Sequence, residues 1–368
     1  MLHKKSLQLL REDCKDITIC LHRLLKSNED FRNIASLGLL PYLSIVVEGL
    51  DKLLELPINY NKIGENSFKQ LYTKSRERAK VYSNKRFNQT LRTIKTAHKH
   101  IFNDLTKSYG PLQNLFIKYY GQRTLGIFYI NGIPFYNNFI GYIDINEIFS
   151  VSDIEEVLEE KRSVELRTFS SNLANYILTG YIDFGYSLND LNKIKGVNID
   201  IHYDDFFIEP VSKRKLINKL YNYTISIFLF NILCKINYIL YVFPKIIDSN
   251  SNLYYRFKLA CYLSTVETLA VLQRSQRKDI DIMKNDDVLI EIIETKRKLD
   301  KNSKLRNNIF HYSIQNIAQS VFENIYYPTH VFNKILEYNT SKSREELDEI
   351  VSNEFDKIIK LIHKWILQ

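Results

Sequence analysis

The sequence has few cysteines and few glycines, and both shortages exclude classes of protein. Its four cysteines (Cys14, Cys20, Cys234 and Cys261) form no Cys-x-x-Cys pair and have no histidine at zinc-finger spacing. We therefore expect neither a disulfide framework nor a structural zinc site. The sequence also lacks a Walker-type or Rossmann-type glycine-rich phosphate loop and the Gly-x-Ser-x-Gly motif of α/β-hydrolases.

The sequence shows no evident secretion signal or membrane span. Residues 1–5 lead into a charged segment that has no apolar signal core. The most apolar run, 223–243, is interrupted by Asn231, Lys235 and Asn237, which favours a buried helix over a membrane span. We expect a cytoplasmic protein with no membrane partner.

Positive charge is concentrated in one segment. The net charge is +9, and residues 62–107 contain twelve Lys and Arg against three acids. Such a segment favours a polyanionic partner such as nucleic acid, although a solvated helix face gives the same pattern. The residues predicted to bind nucleic acid are Arg76, Arg78, Lys80, Lys85, Arg86, Arg92, Lys95 and Lys99.

The distribution of glycine divides the chain into three regions. Eight of the eleven glycines lie between residues 110 and 196, and none follows Gly196. We predict a mainly α protein. It would have a helical, basic N-terminal region (1–110), a small α+β middle region (111–210) and a C-terminal helical bundle (211–368).

Local patterns predict elements within the first two regions. An apolar seam that includes Phe87, Leu91 and Ile94 has spacings of three and four, which indicates an amphipathic helix. In the middle region, Asn131-Gly132 between two β-prone runs is a strong hairpin signal. The predicted middle elements are strands at 124–130, 133–136, 139–145 and 197–203, and a helix at 152–178.

The C-terminal region is predicted to contain helices at 212–243, 252–277, 285–300, 303–325 and 343–367. The helix from Ser303, capped by Asn302 or by Ser303 itself, would place Asn307, His311 and Gln315 on one polar edge. The N-terminus of a helix also favours a bound anion.

Arg306, Asn307 and His311 are the candidate catalytic residues. Histidine titrates near neutral pH and therefore suits proton transfer. Arginine has forked donors that can stabilise charge developing on a phosphate. Asparagine can orient either group. Together these side chains suit cleavage of RNA without a metal ion.

The string Arg306-Asn307-x-x-x-His311, on a helix of a C-terminal bundle, resembles the R-x(4–6)-H signature of the HEPN superfamily. Its commonest form has a polar residue, often Asn, after the Arg, and Tyr312 follows the His as in many members. The resemblance covers at most 212–368. It implies that Arg306 and His311 are catalytic and that Asn307 and Tyr312 support them.

By the same resemblance, the protein would be a metal-independent endoribonuclease of an antiviral, abortive-infection or toxin system, with RNA as substrate and no cofactor. It would form a homodimer through the C-terminal domain, so that two motif helices face each other. A regulatory protein or a phage-derived trigger would be a further partner.

Glu267 is a second candidate, in a supporting role. It is the only charged residue in the stretch 259–273. A lone acid in an apolar helix is costly unless it is paired. The candidate partners are the motif residues Arg306 and His311, or the neighbouring cations Arg256, Lys258 and Arg274. Simple exposure of Glu267 to solvent is the remaining alternative.

Two other motifs are weaker. Arg92 and His98 satisfy the Arg–His spacing, but His98 lies on the apolar seam and is predicted to be a packed core histidine. The segment Asp200-x-His202-x-Asp204-Asp205 could place three ligands for a divalent ion on one face of a strand. A polar strand edge is the commoner arrangement, so no metal site is predicted.

Two other classes of function stay open. The C-terminal bundle could be a non-catalytic HEPN-like module that binds nucleic acid or a nucleotide, with the basic segment 62–107 as the functional surface. The protein could also be a purely structural scaffold.

Overall fold

The computed structural model describes residues 1–56, 60–79, 84–149, 160–218, 221–275, 277 and 280–367. Helix accounts for 73% of the described residues and strand for 7%, which confirms the predicted mainly α class. The helices before residue 200 are α1 (Leu2–Leu25), α2 (Glu29–Leu54), α3 (Phe68–Ala79), α4 (Asn84–Thr106), α5 (Pro111–Tyr120), α6 (Asn138–Phe149), α7 (Glu160–Asp183) and α8 (Leu188–Asn192).

The second half of the chain is helical apart from its connecting turns. Its α-helices are α9 (Tyr223–Asn237), α10 (Phe243–Ile246), α11 (Asn252–Gln273), α12 (Asp281–Lys284), α13 (Asp287–Leu299), α14 (Lys304–Phe310), α15 (Pro328–Thr340) and α16 (Arg344–Ile366). A π-helical turn over Tyr238–Val242 joins α9 to α10. The predicted capping box is present at the start of α16, between Ser343 and Glu346.

Buried apolar residues from all three predicted regions form one hydrophobic cluster. The N-terminal helix α1 packs against α2, α7, α11 and α15 and therefore lies between the first half of the chain and the last. The four cysteines are free thiols within this core. Helix α5 differs from the others, because none of its described side chains is buried.

Within the part of the chain that the structure describes, two helical segments are long and apolar enough to cross a membrane, Glu29–Leu54 and Tyr223–Ile246. In their most apolar windows, 72% and 83% of the residues are buried inside the fold. Core helices of soluble proteins satisfy the same criterion, so these segments are weak support for a membrane span.

The middle region contains a three-stranded antiparallel sheet in the order β2-β1-β3, formed by β1 (Arg123–Ile130), β2 (Ile133–Asn137) and β3 (His202–Phe207). The predicted hairpin is confirmed. Asn131 and Gly132 form its turn with φ values of 50° and 77°. Both residues of a type I′ turn need positive φ, which Asn and Gly adopt most readily.

Two of the predicted middle strands are wrong in type or position. Residues 139–145 belong to helix α6, because Oδ1 of Asn137 accepts the backbone N–H groups of Phe139 and Ile140 and caps the helix. The strand predicted at 197–203 begins only at His202. The predicted helix at 152–178 overlaps α7, and its first residues, 152–159, lie outside the described residues.

Among the C-terminal helices, the predictions at 252–277, 285–300 and 343–367 are confirmed by α11, α13 and α16. The helix predicted at 212–243 starts much later, at Tyr223. Oδ1 of Asn222 accepts the backbone N–H of Thr224 at 3.1 Å and fixes this start.

Candidate active site

The helix that carries the Arg306–His311 motif is much shorter than predicted. Helix α14 ends at Phe310, and His311 follows in an extended conformation (φ −131°, ψ 141°). The predicted helix 303–325 is therefore wrong beyond Phe310. Asn307, His311 and Gln315 do not share a helix edge.

A buried arginine ends this helix. One amino group of Arg256 donates to the carbonyl oxygens of Asn308 and Ile309, at 3.1 and 3.0 Å. Its Nε lies 2.8 Å from Oδ2 of Asp13 on α1, and both side chains are about 1% exposed. A cation at a helix C-terminus satisfies carbonyl groups that have no partner within the helix. Sequence periodicity gives no sign of this contact, because it comes from two distant helices.

Tyr312 belongs to the same buried cluster. Its hydroxyl donates to Oδ2 of Asp13 at 2.9 Å, and the Arg256 guanidinium lies 4.4 Å from its ring centre. A Cβ added at Gly49 would lie 2.4 Å from the Tyr312 ring, so α2 can approach here only because residue 49 is glycine. Tyr312 is 3% exposed and therefore lies within the core.

The loop after His311 is closed by a buried amide, that of Asn308. Its Nδ2 donates to the carbonyl oxygens of Lys304 and Gln315, and its Oδ1 accepts the N–H of Gln315 at 2.9 Å. The backbone N–H of Ile314, one residue before Gln315, donates to the hydroxyl oxygen of Ser6 on α1. The neighbouring Asn307 is only half-buried, and its carbonyl accepts the N–H of His311.

The N-terminus of α14 is capped differently from the prediction. Ser303 has a left-handed conformation (φ 58°) and makes no side-chain cap. Instead, Oδ1 of the buried Asp300 accepts the backbone N–H of Arg306 at 3.1 Å. The position at which an anion was expected is therefore already occupied by a carboxylate of the chain itself.

Arg306 belongs to an ion-paired group at the surface. Its Nε lies 3.4 Å from Oε2 of Glu267, and Nζ of Lys296 lies 3.7 Å from the other oxygen of that carboxylate. The structure thus places Glu267 beside Arg306, on the facing helix α11. The Arg306 side chain is 27% exposed, so a ligand in solvent can reach it.

His311 belongs to a second ion-paired group, which the N-terminal helices provide. Its Nδ1 lies 3.4 Å from Oε2 of Glu48 and 3.3 Å from an amino group of Arg76. That amino group donates to the same Glu48 oxygen at 2.5 Å, and Nζ of Lys52 lies 3.0 Å from the other oxygen. The His311 side chain is 23% exposed, whereas Glu48 and Arg76 are largely buried.

The charge state of Glu48 follows from these contacts. Burial alone would raise its pKa, but the hydrogen bond from His311 and the positive charges of Arg76 and Lys52 outweigh that effect. The pKa of Glu48 is lowered to about 2. Glu48 is therefore a carboxylate throughout the neutral range.

Among the described residues, no hydrogen bond or ion pair joins the Arg306 group to the His311 group. The two motif residues nevertheless lie close along the chain, because Arg306 is in the first turn of α14 and His311 directly follows its last residue. Both side chains are about one quarter exposed.

The basic surface predicted from the charge run exists only in part. Arg92, Lys95 and Lys99 are exposed on α4, but Arg76 and Arg78 are buried in ion pairs, so their placement on this surface is wrong. A run of charges in the sequence does not reveal which members find acids within the fold. Lys80 lies outside the described residues, and so do the side chains of Lys85 and Arg86.

The residues of the two weaker motifs make local contacts. His98 packs against Tyr223 with ring centres 5.0 Å apart, and burial lowers its pKa. On β3, Nε2 of His202 lies 2.9 Å from Oδ2 of Asp204, and both side chains are exposed. Within the described residues, no three His, Cys, Asp or Glu side chains are grouped to hold a metal ion.

Sequence reasoning missed most of the residues that build this site. Glu48 had a recognisable signal, because it is the only charged residue in the stretch 33–50 of α2, as Glu267 is in its own helix. No comparable signal in the sequence pointed to Arg256, Asp13 or Asn308. No protein-family profile, curated protein or solved structure matches the chain.

Proposed function

We propose that this protein is a metal-independent endoribonuclease of the HEPN type, in which His311 transfers protons and Arg306 stabilises negative charge. The observation that supports this best is the setting of His311. Its Nδ1 faces Glu48 and Arg76, while its Nε2 makes no hydrogen bond within the described residues. A partly exposed imidazole with one nitrogen held and the other available suits a general base or acid.

The reaction needs few groups. Nε2 takes the proton of a ribose 2′-OH, and the 2′ oxygen attacks the adjacent phosphorus. The bond from phosphorus to the 5′ oxygen then breaks, and that oxygen leaves with a proton. The products are a 2′,3′-cyclic phosphate and a 5′-OH. The guanidinium of Arg306 offers forked donors to the phosphoryl oxygens as their charge increases.

A single cleavage event needs a base and an acid. By the resemblance to the HEPN superfamily, the second histidine comes from a second copy of the chain. The homodimer, the cytoplasmic location and a role in antiviral defence or toxicity rest on that resemblance and stay predictions. Asn307 supports the site through its backbone, which accepts the N–H of His311.

The test is cleavage of an RNA oligonucleotide in EDTA by the full chain and by Arg306→Ala. We expect cleavage by the wild type, with a 2′,3′-cyclic phosphate product. A loss of about 100-fold or more is expected in the variant, the usual cost of removing a group that stabilises the transition state. An oligonucleotide with 2′-deoxyribose throughout should not be cut. Cleavage of the deoxy substrate, or full activity of the variant, would contradict the mechanism.

A second candidate function is nucleic-acid binding without cleavage. The observation that favours it is the exposure of Arg92, Lys95 and Lys99 on one helix, α4. Binding through these cations would depend steeply on salt and would not require His311. RNA binding that is unchanged in His311→Ala, without cleavage by the wild type, would favour this function.

A further inference from the structure

Nδ1 of His311 lies between two charged groups of opposite sign, both from the N-terminal region. Oε2 of Glu48 is 3.4 Å away and an amino group of Arg76 is 3.3 Å away. Each group favours a different state of the ring. Glu48 can only accept a hydrogen bond and therefore favours a proton on Nδ1, whereas Arg76 can only donate and favours a bare Nδ1.

The competition is decided by the contact between Arg76 and Glu48. The Arg76 amino group that faces His311 donates to the Glu48 carboxylate at 2.5 Å, a much shorter contact than its 3.3 Å approach to Nδ1 of His311. A charged acceptor at that distance is much the better partner for a guanidinium N–H than a neutral ring nitrogen. A bare Nδ1 would also direct its lone pair toward the negative oxygens of Glu48. The balance of charge therefore favours a proton on Nδ1, with Glu48 as its acceptor.

Glu48 is itself held in place. Lys52 binds one of its oxygens at 3.0 Å and Arg76 binds the other. The pair formed by Glu48 and Arg76 is largely buried, so solvent screens it little. Its arrangement depends on the packing of α2 against α3. This is the geometry of an orienting carboxylate, one whose own partners keep it ionised and aligned.

We propose that Glu48 is the positioning residue of the site, and that Arg76 and Lys52 hold it there. By keeping the proton of the neutral ring on Nδ1, Glu48 makes Nε2 the nitrogen that exchanges protons with RNA. This inference rests on the proposed function for its purpose, although the state of the ring can be measured without it. His311 thus receives its orienting group from the N-terminal region of the chain.

The direct test is the tautomer of His311 in the full chain labelled with 15N-histidine. The chain has eight histidines, and the His311→Gln variant identifies the resonances of His311 by their loss. We expect neutral His311 to carry its proton on Nδ1, and Glu48→Ala to shift it toward Nε2. A proton on Nε2 in the wild type, or the same tautomer in Glu48→Ala, would overturn the proposal.

The second arm measures cleavage in EDTA. Removing a group that orients a functional histidine costs about 10- to 100-fold, and we expect that loss in kcat for Glu48→Gln with little change in KM. The matched control is Asp51→Asn. Asp51 lies on the same helix and also binds α3, through Lys69 and Tyr72, but it does not contact His311. Its kcat should stay near the wild-type value.

The two arms separate the inference from the proposed function. If His311→Ala abolishes cleavage while Glu48→Gln cuts as well as the wild type, Glu48 is not a positioning residue and the ribonuclease still stands. If the wild type cuts no RNA, the proposed function fails, and the tautomer measurement still decides whether Glu48 sets the state of the ring. If Glu48→Gln and Asp51→Asn lose kcat equally, the loss reflects general destabilisation of the fold, and the proposal is overturned.

Discussion

Oε2 of Glu48 lies 3.4 Å from Nδ1 of His311, so an acid of the N-terminal helices is in contact with the candidate catalytic residue of the C-terminal region. The same carboxylate binds Arg76 on α3 and Lys52 on its own helix. These contacts join α2, α3 and the loop after α14. A change at Glu48 should therefore alter the stability of the fold as well as the site.

The pH dependence of stability tests the charge of Glu48. Its pKa is about 2 in the folded protein against an ordinary value of 4.5, so the folded state favours the ionised form. The stability that this provides is fully present above about pH 4.5 and is lost as the pH falls toward 2. We expect Glu48→Gln to lower the free energy of unfolding near neutral pH, and to lower it much less near pH 3.

The measurement is urea unfolding of both proteins across this range. The difference in the free energy of unfolding between the two proteins isolates the contribution of Glu48, because the other carboxylates titrate in both proteins. A difference that stays constant with pH would show that Glu48 is not selectively ionised in the folded state.

Arg256 should be one of the most sensitive positions in the chain. Arg256→Met leaves Asp13 buried without its cation and leaves the carbonyl groups of Asn308 and Ile309 without a donor. Breaking a buried pair in this way costs about 3–5 kcal/mol. Urea unfolding should show that loss. Lys69→Ala, which breaks an exposed pair, should cost about 1 kcal/mol or less, and an equally mild Arg256→Met would contradict the assignment.

The two adjacent asparagines of the motif should behave differently. Asn308→Ala removes three hydrogen bonds, and the two that join Asn308 to Gln315 close the loop after His311. We expect a loss of about 1–3 kcal/mol in the free energy of unfolding. The side chain of Asn307 is half-buried, and Asn307→Ala should change stability by about 0.5 kcal/mol at most. The reverse order of the two losses would contradict the structural role of Asn308.

We expect the basic face of α4 to bind RNA with an affinity that depends on salt concentration. Replacing Arg92, Lys95 and Lys99 with alanine should weaken binding, and each lost phosphate contact should reduce the salt slope by about 0.7 for single-stranded RNA. The control replaces three exposed cations on other helices or turns, Arg167, Lys193 and Lys298. If both triple variants weaken RNA binding equally, the effect comes from net charge and α4 has no specific role.

Regular elements could be predicted where one local signal was sufficient. The Asn131-Gly132 turn and the capping box at Ser343 depend on neighbouring residues only. Helix α14 could not be predicted, because its end is set by Arg256 and Asp13, which are far away in the sequence. The run 139–145 was ambiguous for another reason. A short apolar segment fits a strand or a buried helix, and the cap at Asn137 decides between them.

The candidate site, like the fold, could be predicted only where a local signal in the sequence was sufficient. A lone acid in an apolar helix must find a partner, and that argument identified Glu267, which lies beside Arg306. The same argument applies to Glu48, yet no local pattern could name His311 as its partner. Arg76 was predicted to bind nucleic acid because charge counting cannot separate a buried arginine from an exposed one.

The most direct test of the proposed function is cleavage of RNA in EDTA by wild type and by His311→Ala under single-turnover conditions. His330→Ala is the matched control, since His330 is an exposed histidine on α15, where it packs against Tyr327. We predict that the wild type and His330→Ala cut at the same rate. His311→Ala should be slower by about 100-fold or more, the usual contribution of a general acid or base. No cleavage by the wild type, or equal rates for all three proteins, would contradict the proposal that His311 is the catalytic residue of a ribonuclease.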